Sequence, residues 1–189
     1  MNLLENAILF ATSAHEGQMR KLGRIPYILH PMEVAAIVST MSEDMETMTA
    51  AVLHDTVEDC GVTLQSIRER FGERVAELVR SETEDKRHDR PAEETWMERK
   101  EESLLLLRDT PDRQVKILWL SDKLANLRSF YRSYLKIGDG VWQGMHQRDP
   151  AIQGWYYRSV GEAVRTELSD TAAYAEYMQL VRAMFDRKV

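Results

Sequence analysis

The sequence has very little of several things, and each shortage excludes a class of protein. A single cysteine, Cys60, leaves no partner for an intrachain disulfide and sets the expectation of a reducing compartment. Basic residues are in deficit, 25 Lys and Arg against 31 Asp and Glu, and the net charge of −6 argues against nucleic acid as a main partner. Apolar runs such as LLLL at 104–107 are far too short to span a bilayer, so no membrane partner is expected. The N-terminal MNLLENAILFA carries Glu5 and lacks a basic leader region, so no secretory signal is expected and a cytoplasmic location is the default. No segment alternates apolar and polar residues with period two, and no internal repeat is visible. Only 5 prolines and 9 glycines punctuate 189 residues, a length that suits one domain.

Helical periodicity is what the sequence does contain. Leu4, Ala7, Ile8 and Ala11, with Ala14 or His15, share one face, and Gly17 and Gly23-Arg24-Ile25-Pro26 interrupt that first helix. His30-Pro31 opens a second with an apolar face of Val34, Ile37, Val38 and Met41. Asp44 caps a third that runs into AVLHD at 51–55. Thr63–Phe71 and Glu73–Arg80 read as two short helices parted by Gly72. The charged stretch 81–103 reads as a solvated loop entering a helix near Ala92. Asp112 caps a long helix to about Tyr134, with Ile117, Leu120, Leu124, Leu127 and Tyr131 as its core stripe. Residues 150–168 and 170–187 form two last helices, opened by Pro150 and capped by Asp170. The expected class is all-α, a single unit over 1–189 with its motif core at 7–134 and a helical extension at 150–187.

AVLHDTVEDC at 51–60 runs small and apolar residues straight into His54, Asp55, Glu58 and Asp59. Buried charge needs a compensating partner, which can be water, a basic side chain or a metal ion. If the helix continues, His54 and Glu58 lie one turn apart, as do Asp55 and Asp59. On the long helix Asp122, Asn126 and Ser129 fall at i, i+4 and i+7, away from its apolar stripe, and His30 stands at another helix start. Imidazoles with carboxylates suit a divalent transition metal that acidifies a bound water. On the residues alone, a metal site and a set of surface carboxylates beside a hydrogen-bonded histidine both remain open.

The order His30 … His54-Asp55 … Asp122 resembles the metal-binding pattern of the HD superfamily of phosphohydrolases. AHEGQMRK at 14–21, PYILHP at 26–31, LHDTVED at 53–59, TLQSIRERFGERVAELV at 63–79 and SDKLANLRS at 121–129 are similar to the hydrolase domain of RelA/SpoT-type alarmone enzymes. The match is strongest over 7–80 and 115–130. The resemblance implies an HD-type bundle of about eight to ten helices holding one manganese ion (Mn2+) through His30, His54, Asp55 and Asp122. It implies hydrolysis of the 3′-pyrophosphate of ppGpp and pppGpp to GDP or GTP plus pyrophosphate. Glu58 and Asp59 then orient or deprotonate the attacking water. Arg20 and Lys21 border the nucleotide, the arginine packing on guanine, while Tyr27 lies by base and sugar and Asn126 contacts the nucleotide. Ser129 stands where the family often has threonine, and Lys86 reaches a phosphate from a variable loop. A small stand-alone hydrolase is expected.

The chain departs from that pattern in two places. The turn Lys21-Leu22-Gly23-Arg24-Ile25-Pro26 is usually one residue shorter and acidic or small before the proline, and Arg24 adds charge near the expected base pocket. Lys123 and Ala125 stand where the long enzymes carry Arg and His. An alternative reading therefore keeps the metal and changes the substrate to a nucleoside monophosphate or NADPH, and another makes the protein a non-catalytic nucleotide sensor. His15 is expected to be structural, His88 and His146 exposed, and Tyr156 and Tyr157 core aromatics. Cys60, beside carboxylates, is not expected to be a nucleophile.

Overall fold

The computed structural model describes residues 2–21, 23–87 and 89–186, so Leu22 and His88 lie outside the described residues. The chain is all-α, with no named strand among the described residues. The helices are α1 (Leu3–Ala14), α2 (Leu29–Val38), α3 (Met45–Leu53), α4 (Thr56–Cys60) and α5 (Leu64–Phe71). They continue as α6 (Glu73–Glu82), α7 (Ala92–Asp109), α8 (Arg113–Ile137), α9 (Pro150–Leu168) and α10 (Ala172–Phe185). A 3-10 turn, Gly138–Gly144, joins α8 to the last two helices. None of the helices is long and apolar enough to cross a membrane.

Helix α3 is the centre of the packing. Thr47, Thr49, Ala50, Ala51, Val52 and Leu53 are all inaccessible, and α1, α2, α6 and α8 pack around them. The small side chains Ala7, Ala11, Ala50 and Ala51 let α1 lie close against α3. Helix α8, about 37 Å long at 1.5 Å per residue, runs through the core and carries Ile117, Leu120, Leu124 and Leu127 into it. Each fully buried leucine contributes about 1.5–3 kcal/mol relative to exposure. Helices α9 and α10 cover the far side of α8. Arg128 locks that arrangement by donating twice to Glu176, at 2.6 Å each, and once to Glu33 at 3.3 Å. Asp44, Thr63 and Asp112 cap their helices as their sequence positions imply.

Three expectations need correction. The helix through AVLHD does not continue: α3 stops at Leu53, and α4 begins at Thr56. His54 and Asp55 stay in the right-handed region, but Asp55 flattens to ψ −7° and the Thr56 hydroxyl donates to the Leu53 carbonyl at 2.7 Å. The residues keep helical signs while the axis turns, so periodicity does not register the break. The last helix is capped by Thr171, whose hydroxyl accepts from the Tyr174 N–H at 3.1 Å, and not by Asp170. Finally, the 81–103 stretch is not uniformly solvated. Arg99 is buried, and Glu84 accepts from Arg99, Lys100 and Ser103, so this loop is folded onto α7 by ion pairs.

Candidate metal centre and cleft

Four side chains converge where α2, α8 and the α3–α4 joint meet. The break after Leu53 aims His54 and Asp55 together at α8, and the first turn of α2 brings His30 alongside. His30 Nε2 lies 3.0 Å from Asp122 Oδ1 and 3.5 Å from Asp55 Oδ2. His54 Nε2 lies 3.1 Å from Asp55 Oδ2 and 3.7 Å from Asp122 Oδ1. One ligand atom each from His30, His54 and Asp122 falls within 4.8 Å of the others, and all three residues are buried.

The fit of a cation rests on one atom. His54 donates Nδ1–H to the Ala51 carbonyl at 2.8 Å, which leaves Nε2 as the free nitrogen facing the carboxylates. That Nε2 is buried and makes no hydrogen bond among the described residues. A buried acceptor nitrogen facing two carboxylate oxygens is the donor set of a divalent metal, two imidazoles and two carboxylates. Burial would raise the Asp55 carboxyl, yet the His54 and His30 imidazoles hold it far below the usual carboxylate range.

Around this centre the neighbours fix the ligands. The Tyr27 hydroxyl donates to Asp55 Oδ2 at 2.7 Å, and its ring stacks on His15 at 4.9 Å. Asn126 donates to Asp122 Oδ1 at 2.8 Å and accepts from Arg20 at 2.9 Å, so Arg20 reaches the centre through Asn126. Lys123 pairs with Asp122 and lies 3.3 Å from Glu82. Glu82 is buried, and that burial, moderated by Lys123, pushes its carboxyl up to about 8. Lys86 sits 2.5 Å from Glu58 and 3.3 Å from Asp59. Burial raises the Glu58 carboxyl, and the Lys86 ammonium works against that rise.

A cleft of about 310 Å³ opens over the centre. Its lining includes every candidate residue except His54, which is buried behind the wall: Arg20, Lys21, Tyr27, His30, Asp55, Glu58, Asp59, Lys86, Asp122, Asn126 and Ser129. Arg24 is exposed and does not line it. Five further residues line it, Glu82, Glu84, Lys100, Lys123 and Phe130. Lys100 was legible only as one charge among many, and Lys123 only as a departure from a motif. The carboxylates gave no signal at all. His15 is buried, with Nδ1 2.9 Å from the Gln18 side-chain Oε1 and 3.2 Å from the Cys60 sulfur. Burial raises the Cys60 thiol, against a nucleophilic role. His146 is half-exposed, and Tyr156 and Tyr157 are buried.

The HD domain family model matches residues 7–146. The chain belongs to the HD-domain family. Over 128 residues this HD-domain chain is 41% identical to the guanosine-3′,5′-bis(diphosphate) 3′-pyrophosphohydrolase of Aquifex aeolicus strain VF5, covering 68% of this chain and 18% of that protein. Over 127 residues it is 39% identical to the bifunctional (p)ppGpp synthase/hydrolase SpoT of Escherichia coli K12, covering 67% and 18% respectively. The HD-domain chain thus spans about 18% of the length of these relatives. Among solved structures, lmo0812 from Listeria monocytogenes EGD-e superposes with a TM-score of 0.73 at 32% identity, covering 84% of this chain and 99% of that one. A metazoan ortholog of SpoT that hydrolyses ppGpp superposes with a TM-score of 0.76 at 24% identity, covering 97% and 96%, which supports the HD fold alone.

Proposed function

We propose that this HD-domain protein hydrolyses the 3′-pyrophosphate of ppGpp and pppGpp, yielding GDP or GTP and pyrophosphate. The observation that carries the reading is the unpartnered His54 Nε2, facing two carboxylates beneath a cleft lined by Arg20, Lys21, Lys86, Lys100 and Lys123. A buried metal-type donor set under a cleft that brings several cationic side chains beside its carboxylates suits a phosphorylated substrate. The relatives named above act on guanosine tetraphosphates, and that substrate class is carried to this chain on their likeness.

His30, His54, Asp55 and Asp122 would hold the ion, with manganese the expected metal. A divalent cation there supplies Lewis-acid polarisation of a phosphoryl oxygen and a lowered pKa for water. Glu58 and Asp59 line the same cleft and orient or deprotonate the attacking water as its oxygen bonds to phosphorus, while the bond to the 3′ oxygen breaks and that oxygen takes up a proton to become the 3′ hydroxyl. Burial makes Glu58 a stronger base than an exposed glutamate. Lys86, held by these carboxylates, is placed to meet the pyrophosphate, and Arg20, Lys21, Tyr27, Asn126 and Ser129 contact the nucleotide. One domain over 1–189 carries this activity, with its motif core at 7–134 and a helical extension at 150–187.

The test is an end-point assay with and without manganese against ppGpp, pppGpp, nucleoside monophosphates and NADPH, alongside metal analysis of the wild type and His54→Ala. Manganese-dependent release of pyrophosphate and GDP from ppGpp, with metal lost in His54→Ala, is expected. Phosphate released only from another nucleotide would overturn the substrate. Metal and nucleotide binding without any turnover would make the protein a sensor.

A further inference from the structure

Both oxygens of Glu58 are held from one short connection, residues 83–91 between α6 and α7. Lys86 pairs with Oε1 at 2.5 Å, and the backbone N–H of Glu84 donates to Oε2 at 3.0 Å. A lysine on its flexible stem holds by charge and can follow its partner. A backbone N–H holds a carboxylate in place only where the chain around it is itself fixed. Whatever fixes residue 84 therefore also aims Glu58.

The side chain of Glu84 is gripped by α7. Arg99 Nη1 donates to Oε2 at 2.8 Å, Lys100 donates to Oε1, and the Ser103 hydroxyl donates to Oε1 at 3.3 Å. Arg99 is buried and is fixed in turn by donating to the Thr95 hydroxyl at 3.2 Å and the Ala92 carbonyl at 3.3 Å. The Lys100 ammonium lies 5.0 Å from the Tyr156 ring centre. It stands at the junction of the cleft with an adjoining chamber of about 230 Å³, whose walls include Trp96, Tyr156 and Tyr157. Burial works to raise the Glu84 carboxyl, but Lys100, then Lys123 and Arg99, hold it below the usual range, so the grip is charge-assisted. By contrast, Arg87 and Arg90 reach only the exposed carboxylates of Glu98 and Glu102, where solvent and salt weaken such pairs. At Glu58 itself burial raises the carboxyl, Lys86 and the Glu84 N–H pull against that rise, and Asp55 adds to it.

We propose that Glu84 is a positioning residue: clamped by Arg99, Lys100 and Ser103, it presents its backbone N–H to Glu58 and so aims that carboxylate at the attacking water. The role rests on the hydrolase reading of the cleft, and it gives the charged stretch before α7 a part in the reaction.

The test compares the manganese-loaded wild type with Glu84→Gln and with Glu84→Gln plus Arg99→Met, reading kcat, KM, pH profile, metal content and melting temperature. Glu84→Gln strands the Arg99 cation in the interior and is expected to lower the melting temperature. Adding Arg99→Met removes that cation and is expected to recover most of the loss. In both variants kcat on ppGpp is expected to fall about tenfold, with KM and metal content retained. The acid limb of the kcat profile is expected to move to higher pH, because Glu58 loses a bond that favours its charged form. A purely structural clamp would let rate and profile return with stability in the double variant, and the proposal would then fall. A second readout needs no turnover. Hydrogen exchange at the residue-84 amide of metal-free protein is expected to quicken about tenfold in the double variant and in Glu58→Ala, and unchanged exchange in both overturns the proposal. If the wild type turns over no nucleotide, the hydrolase reading falls and the positioning role with it. If the wild type turns over ppGpp and the double variant matches it, only the positioning role falls.

Discussion

The two ends of the cleft solve opposite problems. At the metal end, charge is crowded into the interior and nearly every group is paired: Glu58 and Asp59 with Lys86, Glu82 and Asp122 with Lys123, Glu84 with Arg99 and Lys100. At the chamber end the walls are aromatic, and a single neutral hydroxyl goes unpaired. The difference shows how one fold separates tasks. Dense pairing holds imidazoles and carboxylates in fixed places, whereas an aromatic-walled space discriminates by shape.

The comparison breaks most severely if the acidic pair is removed. Glu58→Gln with Asp59→Asn is expected to lower the turnover rate by roughly 10²–10⁴-fold with metal content retained, read by steady-state assay and metal analysis. Next comes Lys123→Met, which leaves Glu82 buried without its cation. Removing one partner of a buried pair costs about 3–5 kcal/mol, to be measured by denaturant unfolding, and adding Glu82→Leu is expected to recover most of it. Lys86→Met is a finer probe. Burial raises the Glu58 carboxyl and Lys86 opposes that, so without the ammonium the acid limb of the rate profile moves to higher pH. The smallest effect lies outside both ends. Asp112→Ala removes the cap of α8 and is expected to cost about 1 kcal/mol. The hydrogen bond from Arg74 lowers the folded carboxyl, so this contribution is complete above the ordinary carboxylate range and disappears as pH falls through the lowered value. The wild type and the variant therefore converge in acid.

These contrasts also explain what the sequence made legible. The helices show because apolar residues recur at helical spacing, and caps such as Asp44, Thr63 and Asp112 carry their own signature. His30, His54, Asp55 and Asp122 show because imidazole and carboxylate in that order have a chemical meaning. The Glu82–Lys123 pair does not show, since its members are far apart in the chain and each alone reads as an ordinary surface charge. The same holds for Glu84 with Lys100, in a stretch so charged that solvent is the natural reading. The chamber draws on α7, α8, α9 and the residues after the 3-10 turn, so no local pattern announces it.

The loop that carries Arg20 and Tyr27 has a practical consequence. Arg20 N–H donates to the Ile25 carbonyl at 3.0 Å and Tyr27 N–H to the Gln18 carbonyl at 2.9 Å, an isolated antiparallel bridge between Met19 and Pro26. This clasp anchors both side chains from the backbone, so the span between them is free to differ in length and composition. Arg24 projects into solvent there. A reporter dye attached at position 24 would sit in solvent on the loop that carries Arg20 and Tyr27, outside the space the cleft encloses.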